Sequence, residues 1–242
     1  MKLTLMFLWL ALAIPASAED LTLEVSAGDH DRRDSMVTFD LPAALADAKS
    51  FSLQTGDDQL VAVQRDEQGK QPRLVWLLEA PLAAEEKRTY RLLTIPAKDP
   101  VRQDLVVVEK NDSAIAVKVA GLRVLNYNHA VVPSDDPAEP AYRRSGFIHP
   151  VWDPRGNVVT DGMPPDHMHQ HGLMFAWVDT KFQGRNVDFW NSGKKQGEVR
   201  HRGIESMQSG PVFGRFRVTL EHVDLTAEKP VVALRETWQV TV

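Results

Sequence analysis

The chain has 242 residues, no cysteine and a formal net charge of −5. The lack of cysteine excludes disulfides, thiol nucleophiles and a lipid-anchored cysteine, so stability must come from packed cores, for which this length is sufficient. The acidic balance argues against nucleic acid and anionic membrane surfaces as partners.

The first segment reads as an export signal. Lys2 precedes an uncharged apolar run over residues 3–14, and Pro15-Ala16-Ser17-Ala18 supplies an Ala-x-Ala cleavage site. The run is shorter than the ~20 residues a spanning helix needs. Cleavage after Ala18 is expected, and 242 less 18 leaves 224 residues; loss of Lys2 takes the charge from −5 to −6. This places the protein in the periplasm or outside the cell, with no membrane association after cleavage.

From residue 21 onward the chain reads as strand after strand. Alternating or β-branched runs occur at 21–25, 36–41, 51–54, 59–64, 73–78 and 89–95, separated by turn residues. Only 43–48 and 82–87 look helical, and both are short. Pro96-Ala97-Lys98-Asp99-Pro100 reads as a linker, because the paired prolines stiffen it. Further strands are expected at 105–109, 114–119, 123–127, 172–178, 215–220 and 231–242. The pattern predicts an all-β protein: a small N-terminal β-sandwich over 19–98, then a larger β-sandwich unit over 99–242. The apolar final run, 231–242, looks like a central strand needing neighbours on both sides, which suggests either a truncated sandwich or a chain that ends on a paired terminal strand.

Candidate chemistry concentrates at Asp166-His167-Met168-His169-Gln170-His171-Gly172. Imidazole is both a common metal ligand and a proton carrier near neutral pH. The run follows Gly162-Met163-Pro164-Pro165, so the histidines sit where a loop enters the strand at 172–178. In a strand, His167, His169 and His171 would share a face. Neighbours at i and i+2 would be roughly 7 Å apart and able to share one ion, whereas i and i+4, about 13 Å apart, could not. A His-x-His pair such as His167 and His169, completed by His149 or His201, is therefore a possible divalent metal site. Asp166 could orient an adjacent imidazole or cap the turn. His149 is held extended by Pro150. His201 lies between Arg200 and Arg202, whose charges would favour its neutral form.

The elements Gly146-Phe147-Ile148-His149-Pro150-Val151-Trp152, Asp153-Pro154-Arg155-Gly156, the histidine run through Trp177, Val187-Asp188-Phe189-Trp190-Asn191 and the stretch around His201 resemble the PmoA-like family of exported bacterial proteins. The resemblance covers roughly 100–242. It implies a β-supersandwich similar to galactose-mutarotase-like proteins, and hence contact with carbohydrate. The methane oxidation in the family's name does not transfer, since that enzyme subunit is built from transmembrane helices.

On this reading His149, Asp166, His167, His171 and His201 are candidate catalytic residues. Trp190 is the preferred stacking platform for a sugar ring, Asp188 a hydroxyl partner, and Arg143, with Arg144, a partner for the carboxylate of an acidic sugar. Trp177 reads as core. No Gly-x-Ser-x-Gly elbow and no nucleotide-binding glycine loop is present in the sequence. Three functions follow: a carbohydrate-active protein of epimerase, lyase or hydrolase type; a metal-binding protein; and a non-catalytic binding module.

Overall fold

The structure is a computed structural model that describes residues 20–94 and 105–242. The expected signal segment and the linker lie outside these residues. The chain divides into two compact units, Met1–Pro100 and Val101–Val242. Among the described residues both are all-β, and every strand pair is antiparallel.

The first unit contains β1 (Asp20–Ser26), β2 (Met36–Asp40), β3 (Ser52–Thr55), β4 (Leu60–Val61), β5 (Val63–Asp66), β6 (Arg73–Leu77) and β7 (Lys87–Leu93). One sheet runs β1-β7-β3-β4 and the other β2-β6-β5. The inward side chains of both sheets join one core that includes Leu53, Leu74, Trp76, Tyr90 and Leu92. Trp76 of one layer meets Tyr90 of the other edge-on, with centroids 5.4 Å apart, a favoured aromatic arrangement. The single strand expected over 59–64 is two strands, because the chain crosses from one sheet to the other at Ala62. Of the two helix-like stretches, 43–48 is a 3₁₀ turn at Ala43–Leu45 and 82–87 is a turn leading into β7.

The second unit contains β8 (Val106–Lys110), β9 (Ala114–Val119), β10 (Leu122–Asn128), β11 (Phe147–Val151), β12 (Thr180–Phe182), β13 (Arg185–Val187), β14 (Gly197–Gln208), β15 (Arg215–Asp224) and β16 (Val231–Thr241). Its layers are β11-β10-β9-β8 and β14-β15-β16, with β12 and β13 forming a hairpin. Val117, Leu125 and Tyr127 from the first layer and Phe216, Val218 and Leu220 from the second make the core. Burying each of these large apolar side chains contributes roughly 1.5–3 kcal/mol. Tyr127 touches both Phe216 (5.5 Å) and Trp238 (6.2 Å), which ties the layers together at their centre.

One expectation is corrected here. Residues 172–178 are not a strand: only Leu173 makes a bridge, to Ile148, and Leu173, Phe175, Trp177 and Val178 are exposed. The apolar run is an extended surface segment, so Trp177 is not core. The C-terminal run, β16, pairs with β15 alone among the described residues and lies at the edge of its sheet.

Candidate functional site

The histidine run lies on two successive turns rather than on a strand, so the alternate-face argument for it does not apply. The amide of His167 donates to the Pro164 carbonyl (2.8 Å), that of Gln170 to His167 (2.8 Å), and that of Met163 to Gln170 (2.7 Å). The loop is fastened to β11 by hydrogen bonds in both directions between Ile148 and Leu173. Gly172 makes this approach possible. Its φ is +58°, and a Cβ there would lie 2.4 Å from the Ile148 carbonyl oxygen. No L-residue fits that position without moving the backbone.

The turns give the three histidines different surroundings. His167 is exposed, with Nδ1 3.0 Å from Asp166 Oδ2. His169 is half-buried, its ring 5.9 Å from that of His167 and 6.5 Å from that of Trp190. Burial, then His167 and Lys194, hold its pKa below the usual histidine value against the opposing pull of Asp188. No hydrogen bond reaches its ring nitrogens among the described residues, so both nitrogens are available. His171 is buried at 1% exposure, with Nδ1 3.0 Å from the His169 carbonyl and Nε2 2.8 Å from that of Tyr142. Burial and the charge of Arg144 lower its pKa to about 4. The neutral ring carries one proton and donates to one of the two carbonyls. This side chain pins the loop to the turn Pro140–Tyr142 and has no ring nitrogen free for a ligand.

Trp190 is presented by Asp188. The buried Asp188 accepts from the amides of Trp190 and Asn191 through Oδ1 (2.9 Å each) and from Lys194 Nζ through Oδ2 (2.7 Å). Burial raises its pKa, but Lys194 and the two amides outweigh it and hold the carboxyl below its ordinary value. Both oxygens are engaged, so Asp188 shapes the turn beneath Trp190 instead of offering an acceptor to a substrate hydroxyl.

His149 and His201 stand apart from this group, with no hydrogen bond or ring contact to His167 or His169 among the described residues. His149 Nδ1 meets Thr160 Oγ1 at 2.9 Å, and the same hydroxyl oxygen accepts from the Val151 amide at 3.0 Å. Burial lowers the His149 pKa against the pull of Asp161. His201 Nδ1 lies 3.0 Å from the Tyr127 hydroxyl, and burial and His129 lower its pKa to about 4. The expected role of Arg200 and Arg202 in that shift is corrected, because both turn to Glu221, at 3.0 and 3.9 Å. Arg143 is exposed and lines a cavity of about 360 Å³ together with Arg144. Trp152 is buried with the Arg123 guanidinium 4.7 Å from its ring centroid.

One pairing escaped the sequence. His222 Nε2 and Glu236 Oε2 are 2.8 Å apart across β15 and β16, and Glu236 also accepts from the Trp238 indole. His222 is fully buried, its Nδ1 has no partner, and it lines an apolar cavity of about 210 Å³ with Trp177, Phe182 and Phe189. Only strand register brings positions 222 and 236 together.

Among the described residues no three His, Cys, Asp or Glu side chains are grouped to hold a metal ion. No helix among them is long and apolar enough to cross a membrane. Together these features define an all-β protein of two sandwich units with a polar-aromatic surface on the second. The chain belongs to the DUF6807 family, a family of unknown function, whose profile matches residues 114–242. The match spans β9 to the end of β16 and therefore includes every candidate residue described above. No curated protein matches the chain.

Proposed function

We propose that the unit Val101–Val242 binds carbohydrate on the surface formed by Asp166, His167, His169 and Trp190, and that the protein is exported. The observation that carries this reading is the half-buried His169, whose ring nitrogens are free beside the indole of Trp190. An indole offers an apolar face to the C–H groups of a sugar ring, while a neutral imidazole both donates and accepts a hydrogen bond. Asp166 restricts His167 next to it. The resemblance to the PmoA-like family and its mutarotase-like relatives points to the same ligand class, and the N-terminal Lys2, apolar run and Ala-x-Ala site support export. Chemistry of epimerase, lyase or hydrolase type would use His169 or His167 for proton transfer.

Isothermal titration and product analysis against a panel of neutral and acidic oligosaccharides test the proposal. Trp190→Ala and His169→Ala are each expected to weaken binding about tenfold or more, equivalent to ~1.4 kcal/mol. Unchanged affinity in both variants, or no binding by any panel member, refutes it.

A further inference from the structure

The apolar cavity beside His222 is walled by rings. Its volume is about 210 Å³, and Trp177, Phe182, Phe189, His222, Ala233 and Leu234 make up most of its lining. Four parts of the second unit meet there: the surface segment 172–178, the hairpin β12–β13 with the residues after it, β15 and β16. The Phe189 amide donates to the Trp177 carbonyl at 2.9 Å, which joins two of the walls. The Phe189 ring also meets His222 edge-on, with centroids 5.4 Å apart. His222 supplies only ring surface, because its Nε2 faces Glu236 and its Nδ1 is enclosed.

The cavity reaches solvent through side chains that a fold normally covers. Trp177 is 49% and Leu234 43% exposed, and Phe175, edge-on to Trp177, extends the apolar surface. An exposed apolar patch of this kind marks a contact surface, and the size of the cavity decides what it contacts. An apolar cavity of ~150 Å³ takes one benzene. A volume of about 210 Å³ therefore takes one ring or a fused pair, and no length of helix or strand. Apart from His222, only Thr180 and Lys181 bring side-chain polar atoms to the lining, so a hydroxyl-rich sugar finds few partners in it.

We infer that this cavity is a binding site for a small aromatic molecule, seated between Trp177, Phe182 and Phe189 with Leu234 at the mouth. Aromatic rings have negative faces and positive edges, so they favour edge-to-face and offset contacts with one another. Walls made of three aromatic side chains and an imidazole therefore favour an aromatic guest over an aliphatic one of equal volume. A seated ring also takes apolar surface of Trp177 and Leu234 out of water. Neither Trp190 nor His169 lines the cavity, so the site is separate from the carbohydrate surface and does not depend on it.

Titration of the full chain with indole, cyclohexanol and glucose, followed by amide chemical shifts and melting temperature, tests the site. Indole is expected to move the amides of residues 177–182, 189, 222 and 233–234. It should also raise the melting temperature, as a ligand of the native state does. Cyclohexanol, a ring without a π-system, should bind severalfold more weakly, and glucose should leave these amides unmoved. Trp177 lies outside the core, so Trp177→Ala should fold and should weaken indole binding about tenfold or more. Ala233→Leu extends a side chain into the cavity and should weaken indole binding as well. Three results overturn the proposal: no shifts at these amides with indole, cyclohexanol binding as tightly as indole, or unchanged indole affinity in Trp177→Ala. A dimer in sedimentation that Trp177→Ala dissociates, in a protein that does not bind indole, would overturn it too and assign the patch to contact between two copies.

Discussion

His171 provides a quantitative test of how burial sets charge in this fold. Its pKa falls from an ordinary 6.5 to about 4 in the folded chain. The folded state therefore favours the neutral ring, and its stabilising effect is complete above pH 6.5 and is lost as pH falls toward 4. At pH 5 an unfolded imidazole is almost fully protonated while the folded one binds about a tenth of a proton. Linkage then gives a loss of roughly 2 kcal/mol between pH 7 and 5, reaching about 3 kcal/mol by pH 4. The carboxylates with lowered pKa values, Asp188, Glu221 and Asp224, lose their contributions at lower pH, below ordinary values of 3.8 to 4.5. His201, also lowered to about 4, and His149 and His169, lowered by burial, contribute over the same interval as His171, so urea unfolding at pH 7, 6 and 5 is compared between the parent chain and His171→Phe, with the His171 ring resonance followed by NMR. The ring is expected not to titrate above pH 5, and His171→Phe should flatten the stability profile by about 2 kcal/mol over the same interval. The refuting result is a His171 resonance that titrates at or above pH 6.5. That would mean an imidazolium donating to the carbonyls of both His169 and Tyr142, with the electrostatics of the pocket reversed.

Other substitutions probe the framework. Gly172→Ala forces a side chain onto the Ile148 carbonyl at positive φ, at a cost of about 1–3 kcal/mol for the conformation alone; an unchanged melting temperature would contradict the geometry. Asp188→Ala removes the acceptor for the Trp190 and Asn191 amides and for Lys194, at a cost on the order of 2–3 kcal/mol. Asp188→Asn, which keeps an acceptor oxygen, should recover part of that in a denaturation series. Leu220→Ala opens a cavity in the second core and should lose about 2–5 kcal/mol in urea titration, whereas the exposed Leu173→Ala should change stability by less than about 0.5 kcal/mol.

Alternation made most of the fold legible. Runs such as those that became β9 and β15 alternate because one face meets the opposite sheet. Residues 172–178 are apolar without being a strand, because Phe175 and Trp177 meet edge-on on the surface, with centroids 5.2 Å apart. β11 was hidden by Pro150, which gives no ladder donor and is tolerated because β11 is an edge strand. At the candidate site, composition located the histidine loop and Trp190, and the neighbouring pair Asp166 and His167 could be anticipated. The engagement of Asp188, the burial of His171 and the link between His222 and Glu236 depend on turn geometry and strand register. Those are tertiary facts that spacing along the chain does not encode.

The placement of His167, His169 and His171 on turns makes three chemically identical side chains, each separated from the next by one residue, unequal toward a reagent arriving from water. An acylating reagent for imidazole such as diethyl pyrocarbonate would meet His167 openly, its side chain being 54% exposed. It would meet the half-buried His169 less openly, and would not reach His171 at all while the loop stays closed. Modification read by peptide mapping would thus proceed in chain order. The moment at which His171 begins to react would time the opening of the loop, so the histidine run carries its own internal clock for local unfolding.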